Sequence, residues 1–183
     1  LGYTLYYTTS FIFTGLAVAV AFHCGLFNIG VEGQAYMGAL GLGLVCLFLG
    51  GKIPFILLLP LSITAAGLFG GLWTLIPAWL QGYRGSHIVI TTIMFNFIAT
   101  AVMSYLLVEV LKPKGSMSVE SAVFDPSSWL PKMYEVYAYF GFSILRSPLN
   151  VSIFWALLCT VAVYFFIWRS RWGYEIRALG QNA

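Results

Sequence analysis

Charge is scarce in this sequence. Only 8% of its 183 residues are Asp, Glu, Lys or Arg, against about a quarter in a soluble globular domain. With 60% hydrophobic residues, the chain reads as an integral membrane protein. The few basic residues are scattered, so the formal charge of +3 makes no phosphate-binding stripe and excludes a nucleic-acid partner. Glu32 is the only carboxylate among the first hundred residues. A lone acid argues against hydrolysis, which needs an acid–base pair, an activated nucleophile or a metal. Cys24, Cys46 and Cys159 match no metal spacing and read as small buried hydrophobes. His23 has no metal-ligand partner nearby in sequence, and His87 reads as an interfacial or capping residue. Gly50-Gly-Lys52 lacks the spacing and hydroxyl of a phosphate loop, so any ATP dependence belongs to another polypeptide. The chain begins at Leu1 without a basic n-region, so no signal peptide is visible.

Five apolar runs are present: Tyr3–Cys24, Ala35–Leu49, Phe55–Ile76, Ile88–Leu111 and Val151–Trp168. A short segment, Pro77–Ser86, follows the third. The runs exceed the roughly ten residues of a membrane strand and do not alternate, so helices are expected. Gly38, Ala39, Gly41 and Gly43 in the second run, and Ala65, Ala66, Gly67, Gly70 and Gly71 in the third, allow close helix packing. The fold class expected is an all-α integral membrane protein, a partial polytopic helical bundle with a broken or re-entrant helix.

That last feature comes from Gly25-Leu-Phe-Asn-Ile-Gly-Val-Glu-Gly-Gln34, which sets a carboxylate and two side-chain amides between the first two runs. Polar groups and irregular backbone at membrane depth are tolerated only against protein or a water-filled cavity. A site or pathway is one reading; a polar loop at the membrane face is the other. The shortness of the second run beside Asn28 and Glu32 suggests a helix broken near a binding site. Asn28 and Gln34 suit an uncharged polar solute and equally suit freed backbone groups. Gly30 and Gly33 permit close backbone approach or left-handed conformations. Asn96, in mid-run, faces the bundle, to line a pathway or to bond another helix.

Residues Lys112–Pro148 mix both charges with Pro113, Pro126, Pro131 and Pro148 and several aromatics, which suggests a compact cap or an interfacial helix. Packing on its own bundle and docking a partner are both open. Arg169, Arg171 and Arg177 put the tail on the cytoplasmic side by the positive-inside bias. Counting back, 112–148 is extracytoplasmic, Pro77–Ser86 cytoplasmic and Gly50–Pro54 outside. Arg84 agrees with this orientation, and Lys52 is a small violation. Tyr174–Leu179 suits one or two turns of amphipathic helix along the inner face, with Gly180 and Asn182 as terminators.

Three segments, in this order, resemble the permease subunits of ABC importers, in the branch of ribose, branched-chain amino acid and nucleoside permeases. They are Gly25–Ala35 with Met37-Gly-Ala39, Ile88–Ala99, and Arg171–Ala183. The first two look most like the nucleoside (simple sugar) subgroup. The resemblance covers essentially the whole chain. It implies that Phe27, Asn28, Gly30, Glu32, Gly33 and Gln34 shape the substrate pathway or its helix breaks, with Asn96 in a core membrane helix. It assigns Tyr174, Glu175, Arg177, Gly180 and Asn182 to contact with a cytoplasmic ATPase subunit, 169–183 being the start of the coupling segment. It also implies an extracytoplasmic solute-binding protein docking at 112–148, a second permease subunit, the inner membrane as location, and no cofactor or covalent chemistry. Members of that family run to about twice this length, so residues 1–183 are expected to be a fragment of a permease domain, short of an initial span. A purely structural membrane subunit, or a membrane enzyme fragment using Glu32, His23 or His87, are the alternatives.

Overall fold

The computed structural model describes residues 1–115, 117–141 and 145–181. Among these residues seven α-helices follow one another: α1 (Gly2–His23), α2 (Val31–Leu49), α3 (Phe55–Arg84), α4 (Ile88–Tyr105), α5 (Met133–Tyr139), α6 (Ser152–Arg169) and α7 (Arg171–Gln181). A π-helical turn, Leu106–Val110, continues α4, and a 3-10 turn spans Pro126–Ser128. Among the described residues, the extended pairing is an isolated antiparallel bridge of Lys132 with Asn150. Among the described residues, five helical segments, α4 with its π turn included, are long and apolar enough to cross a membrane. Large apolar side chains such as Leu68, Leu72, Phe97 and Leu158 stand exposed along them, as lipid-facing residues do when hydrocarbon is the solvent.

Two compact units form. One contains Asn28–Trp129; the other joins Leu1–Phe27 to the chain from Leu130 onward.

In the Asn28–Trp129 unit, α2 runs antiparallel to α3 along a seam of small residues. A Cβ on Gly41 would lie 2.7 Å from the Ala65 carbonyl oxygen, and one on Gly38 would lie 3.3 Å from that of Ala66. Gly70 closes on the Gln34 carbonyl in the same way. Gly67 and Gly71, by contrast, face open space. Met37, Leu40 and Ala99 form the buried centre, with Leu44, Trp73 and Val102 packed around it. Without a hydrophobic drive between helices in lipid, backbone approach of this kind holds the bundle. Gly41→Leu is therefore expected to lower the melting temperature of the purified protein in detergent by several degrees, whereas Gly67→Ala leaves it within about one degree, since its new methyl group meets nothing. Equal melting of the two variants would contradict this seam.

Several expected boundaries move. The second run begins four residues earlier, at Val31, because Glu32 and Gln34 lie in the first turn of α2. Pro77–Ser86 is not a separate segment. α3 continues through Pro60 and Pro77 to Arg84, since a membrane helix tolerates proline where neighbours compensate the lost N–H. It ends at Gly85, whose φ of 63° is left-handed. His87 sits at the N-cap of α4, but its side chain makes no capping bond. Cys46 is buried as expected, while Cys24 and Cys159 are half-buried.

The α2–α3 turn is tied to the segment after Lys112. Gly51 N–H donates to Ser127 Oγ at 3.1 Å, and Ser127 N–H donates to Asp125 Oδ1 at 2.9 Å. Bonds from the Ser127 hydroxyl and amide hold the exposed Asp125 carboxyl below the usual carboxylate range. A carboxyl depressed in the folded chain contributes stability above its unfolded pKa and loses it as pH falls through the folded value. The Asp125 carboxyl is thus expected to titrate below an unperturbed aspartate and to move up in Ser127→Ala, as followed by carboxyl-carbon NMR.

In the other unit, α1 and α6 run side by side in the same direction, with Ala156 and Ile167 of α6 and Thr9 of α1 buried. α6 stops where Ser170 turns extended. Its hydroxyl then accepts from Gly173 N–H at 3.0 Å, capping the start of α7.

Candidate functional site

α1 is closed by Gly25, whose φ is 74°. Leu26 N–H reaches back to the Ala21 carbonyl and Gly25 N–H to that of Phe22, which satisfies two orphan carbonyls in a Schellman arrangement. Phe27 then packs edge-on against Phe22, at 5.9 Å between ring centroids, and remains half-exposed.

From Asn28 onward the chain is held by side-chain amides. Asn28 Oδ1 accepts from Gly30 N–H at 2.8 Å, a local turn of the kind asparagine favours. Asn96 of α4 makes two bonds to α2's entry. Its Oδ1 accepts from Gly33 N–H at 2.9 Å, and its Nδ2 donates to the Ile29 carbonyl at 3.0 Å. Gly33 N–H is one of the four donors that a helix start leaves without an intrahelical acceptor. Asn96 therefore caps α2 from a neighbouring helix, where α2's own Gly30 has no side chain to do so.

The two glycines are there for proximity. Neither Gly30 nor Gly33 has a positive φ. A Cβ on Gly30 would sit 3.0 Å from Thr92 Cβ, and one on Gly33 would sit 3.0 Å from Asn96 Oδ1 and 3.1 Å from Ala99 Cβ.

These contacts fix where α2 begins along its neighbours. From Ile88, the start of α4, to Asn96 is about 12 Å at 1.5 Å rise per residue. α3 meets the start of α2 at Gly70, and from there to Arg84 it extends about 21 Å further. The entry of α2 thus lies part-way along both neighbouring helices, about 12 Å from the start of α4 and about 21 Å from the end of α3. α2 is itself one continuous helix, long and apolar enough to cross a membrane, and the break expected within it is not seen.

At this entry, Glu32 is exposed and its Oε1 accepts from Tyr36 at 3.5 Å, within α2. Gln34 is half-buried. Asn28, Gly30, Gly33 and Asn96 come together as one bonded group, while the side chains of Glu32 and Gln34 make no bond to it. Thr92, which fills the space against Gly30, was missed from the sequence. Its placement one helical turn before Asn96 was the available signal.

α7 is longer than the Tyr174–Leu179 expected, and Gly180 does not end it. That glycine lies inside the last turn and closes on the His23 carbonyl and on the backbone of Cys24 and Gly25. Gly173 closes likewise on the carbonyls of Phe166 and Ile167. The Arg177 guanidinium stacks 4.6 Å from the Trp168 ring, and its Nε donates to the Gly173 carbonyl at 3.3 Å. His23 meets the same indole edge-on at 5.9 Å. Tyr174 and Glu175 face outward, with Glu175 3.6 Å from Arg171, an exposed pair of little energetic weight. The expected coupling residues thus divide. Arg177 and Gly180 fasten α7, and Tyr174 and Glu175 are presented. Asn182 lies outside the described residues.

Helices long and apolar enough to cross a membrane, with α4 capping the start of α2 through a side-chain amide, define a polytopic membrane protein. The chain belongs to the family described as the permease component of the branched-chain amino acid transport system, whose model matches residues 1–183. It is similar to the guanosine ABC transporter permease protein NupP of Bacillus subtilis, 39% identical over 99% of this chain and 49% of that protein. The glucose ABC transporter permease protein TsgB13 of Haloferax volcanii is 34% identical over 93% of this chain and 44% of its own. The nucleoside ABC transporter permease protein NupB of Lactococcus lactis is 30% identical, across 100% and 49% respectively. The chain spans about half the length of these relatives. No solved structure gives a significant match.

Proposed function

We propose that this chain belongs to the permease subunit of an ATP-driven importer in the inner membrane, which moves nucleosides or related sugar-containing solutes. The observation that carries the reading is the amide-capped start of α2, with the side chains of Glu32 and Gln34 left outside the bonds that Asn28 and Asn96 make to backbone. The names of the relatives, permeases for guanosine, nucleosides and glucose, supply the solute class. In this reading Asn28, Gly30, Gly33 and Asn96 hold the shape of that entry. Phe27, Glu32 and Gln34 line the solute's route, their carboxylate and amide suited to hydroxyls and ring nitrogens.

Tyr174 and Glu175 contact a cytoplasmic ATPase. Arg177 and Gly180 pass its motion to Cys24 and Gly25, from which the chain leads directly to Asn28. A solute-binding protein docks outside at 112–148, and a second permease subunit completes the pathway. The chain's contribution is differential stabilisation of outward- and inward-open states.

Uptake by cells carrying the complete permease, its ATPase and its binding protein tests the reading. Unlabelled nucleosides are expected to compete with labelled guanosine more strongly than glucose does. Glu32→Ala is expected to cut uptake at least fivefold with unchanged melting. Uptake at the wild-type level in that variant removes Glu32 from the route.

A further inference from the structure

Two cavities adjoin each other at the end of α1 and α6 opposite α7. The first holds about 670 Å3, within the range of ligand pockets. Its wall is mostly apolar, including Leu5, Met133, Leu149, Phe154 and Leu157. The second, about 500 Å3, is lined by Lys132, Arg146, Asn150 and the tyrosines Tyr3, Tyr6 and Tyr134. Tyr3, Tyr134, Arg146 and Ser147 belong to both. Among the described lining residues none is acidic.

The two differ in depth as well as polarity. The polar cavity keeps to the first turns of α1 and to Asn150 ahead of α6. The apolar one reaches Leu157, about 8 Å along α6 from Ser152. Tyrosines gather at such a level because their rings are apolar and their hydroxyls wet. Lys132 Nζ lies 5.9 Å over the Tyr134 ring, and the Lys132 backbone N–H donates to the Glu135 carboxylate at 3.3 Å, so Arg146 is the cation of the rim.

We propose that the paired cavities bind one anionic phospholipid. Arg146 takes the headgroup phosphate, and one acyl chain fills the apolar cavity. Guanidinium matches phosphate oxygens in charge and in fork geometry. A zwitterionic lipid with the same tails satisfies the apolar cavity and carries no net charge for the rim. This assignment stands independently of what the permease transports.

The test uses the complete permease purified in mild detergent. Native mass spectrometry follows retention of added phosphatidylglycerol and of phosphatidylcholine with identical chains. Wild type is expected to retain phosphatidylglycerol at least fivefold over phosphatidylcholine. Arg146→Gln abolishes that preference and Arg146→Lys keeps most of it. Leu157→Trp, which fills the apolar cavity, lowers retention of both lipids while Arg146 is intact. Equal retention of the two lipids by wild type overturns the proposal. So does an unchanged preference in Arg146→Gln, or no retention of either lipid because another part of the full chain covers the cavities.

Discussion

Asn96→Leu is expected to abolish most transport by the complete permease, with uptake falling at least tenfold although the protein still reaches the membrane. Leucine is close to asparagine in size, so the variant tests bonding rather than volume. It leaves Gly33 N–H without its acceptor and the Ile29 carbonyl without its donor. The buried Gly33 N–H, left unsatisfied, costs about 1–3 kcal/mol, whereas the Ile29 carbonyl is exposed. The start of α2 is expected to fray until Gly33 or Ile29 finds another partner, which moves Glu32 and Gln34 out of register. Asn96→Asp keeps an acceptor for Gly33 and loses the donor to Ile29, so its effect is expected to be intermediate. Melting in detergent and labelled-solute uptake, measured on the same preparations, check both variants. Wild-type uptake by Asn96→Leu removes the cap from any role in transport.

The second large effect is expected at Gly180. A side chain there meets the His23 carbonyl and the Gly25 amide at less than van der Waals distance, so Gly180→Leu must lift the last turn of α7 away from the end of α1. ATP hydrolysis stimulated by loaded binding protein is expected to fall at least tenfold, and limited proteolysis to cut earlier within α7. Glu175→Ala is expected to weaken ATPase association without changing the proteolysis, because that residue is exposed. If Gly180→Leu leaves both the cutting pattern and the stimulation unchanged, α7 is not fastened through this glycine.

The five apolar runs were legible because hydrocarbon demands long uninterrupted stretches, and length alone located α1, α2, α3, α4 and α6. Boundaries were less so where a polar residue serves a helix end. Glu32 and Gln34 read as loop by composition, yet the first turn of a helix tolerates both, and acids favour it electrostatically. Pro77 read as a stop for the same local reason, and the surrounding bundle overrode it. In the site, Asn96 was legible as an inward-facing amide. Its partners were not, since a bond from α4 to Gly33 joins residues far apart in sequence and has no periodic signature. The packing use of Gly180 was hidden likewise. In sequence, a glycine near a helix terminus looks the same whether it ends the helix or admits a neighbouring backbone.

The contact between α2 and α3 is made by close backbone approach at Gly38, Gly41 and Gly70, and bulky rings sit beside it. Phe69 of α3 lies against Gly41, and Trp73 packs on the Met37, Leu40 and Ala99 centre. Lengthwise travel of one helix over the other would drive those rings into the opposite backbone, and separation would forfeit the dispersion contacts together. The pair is keyed in one register.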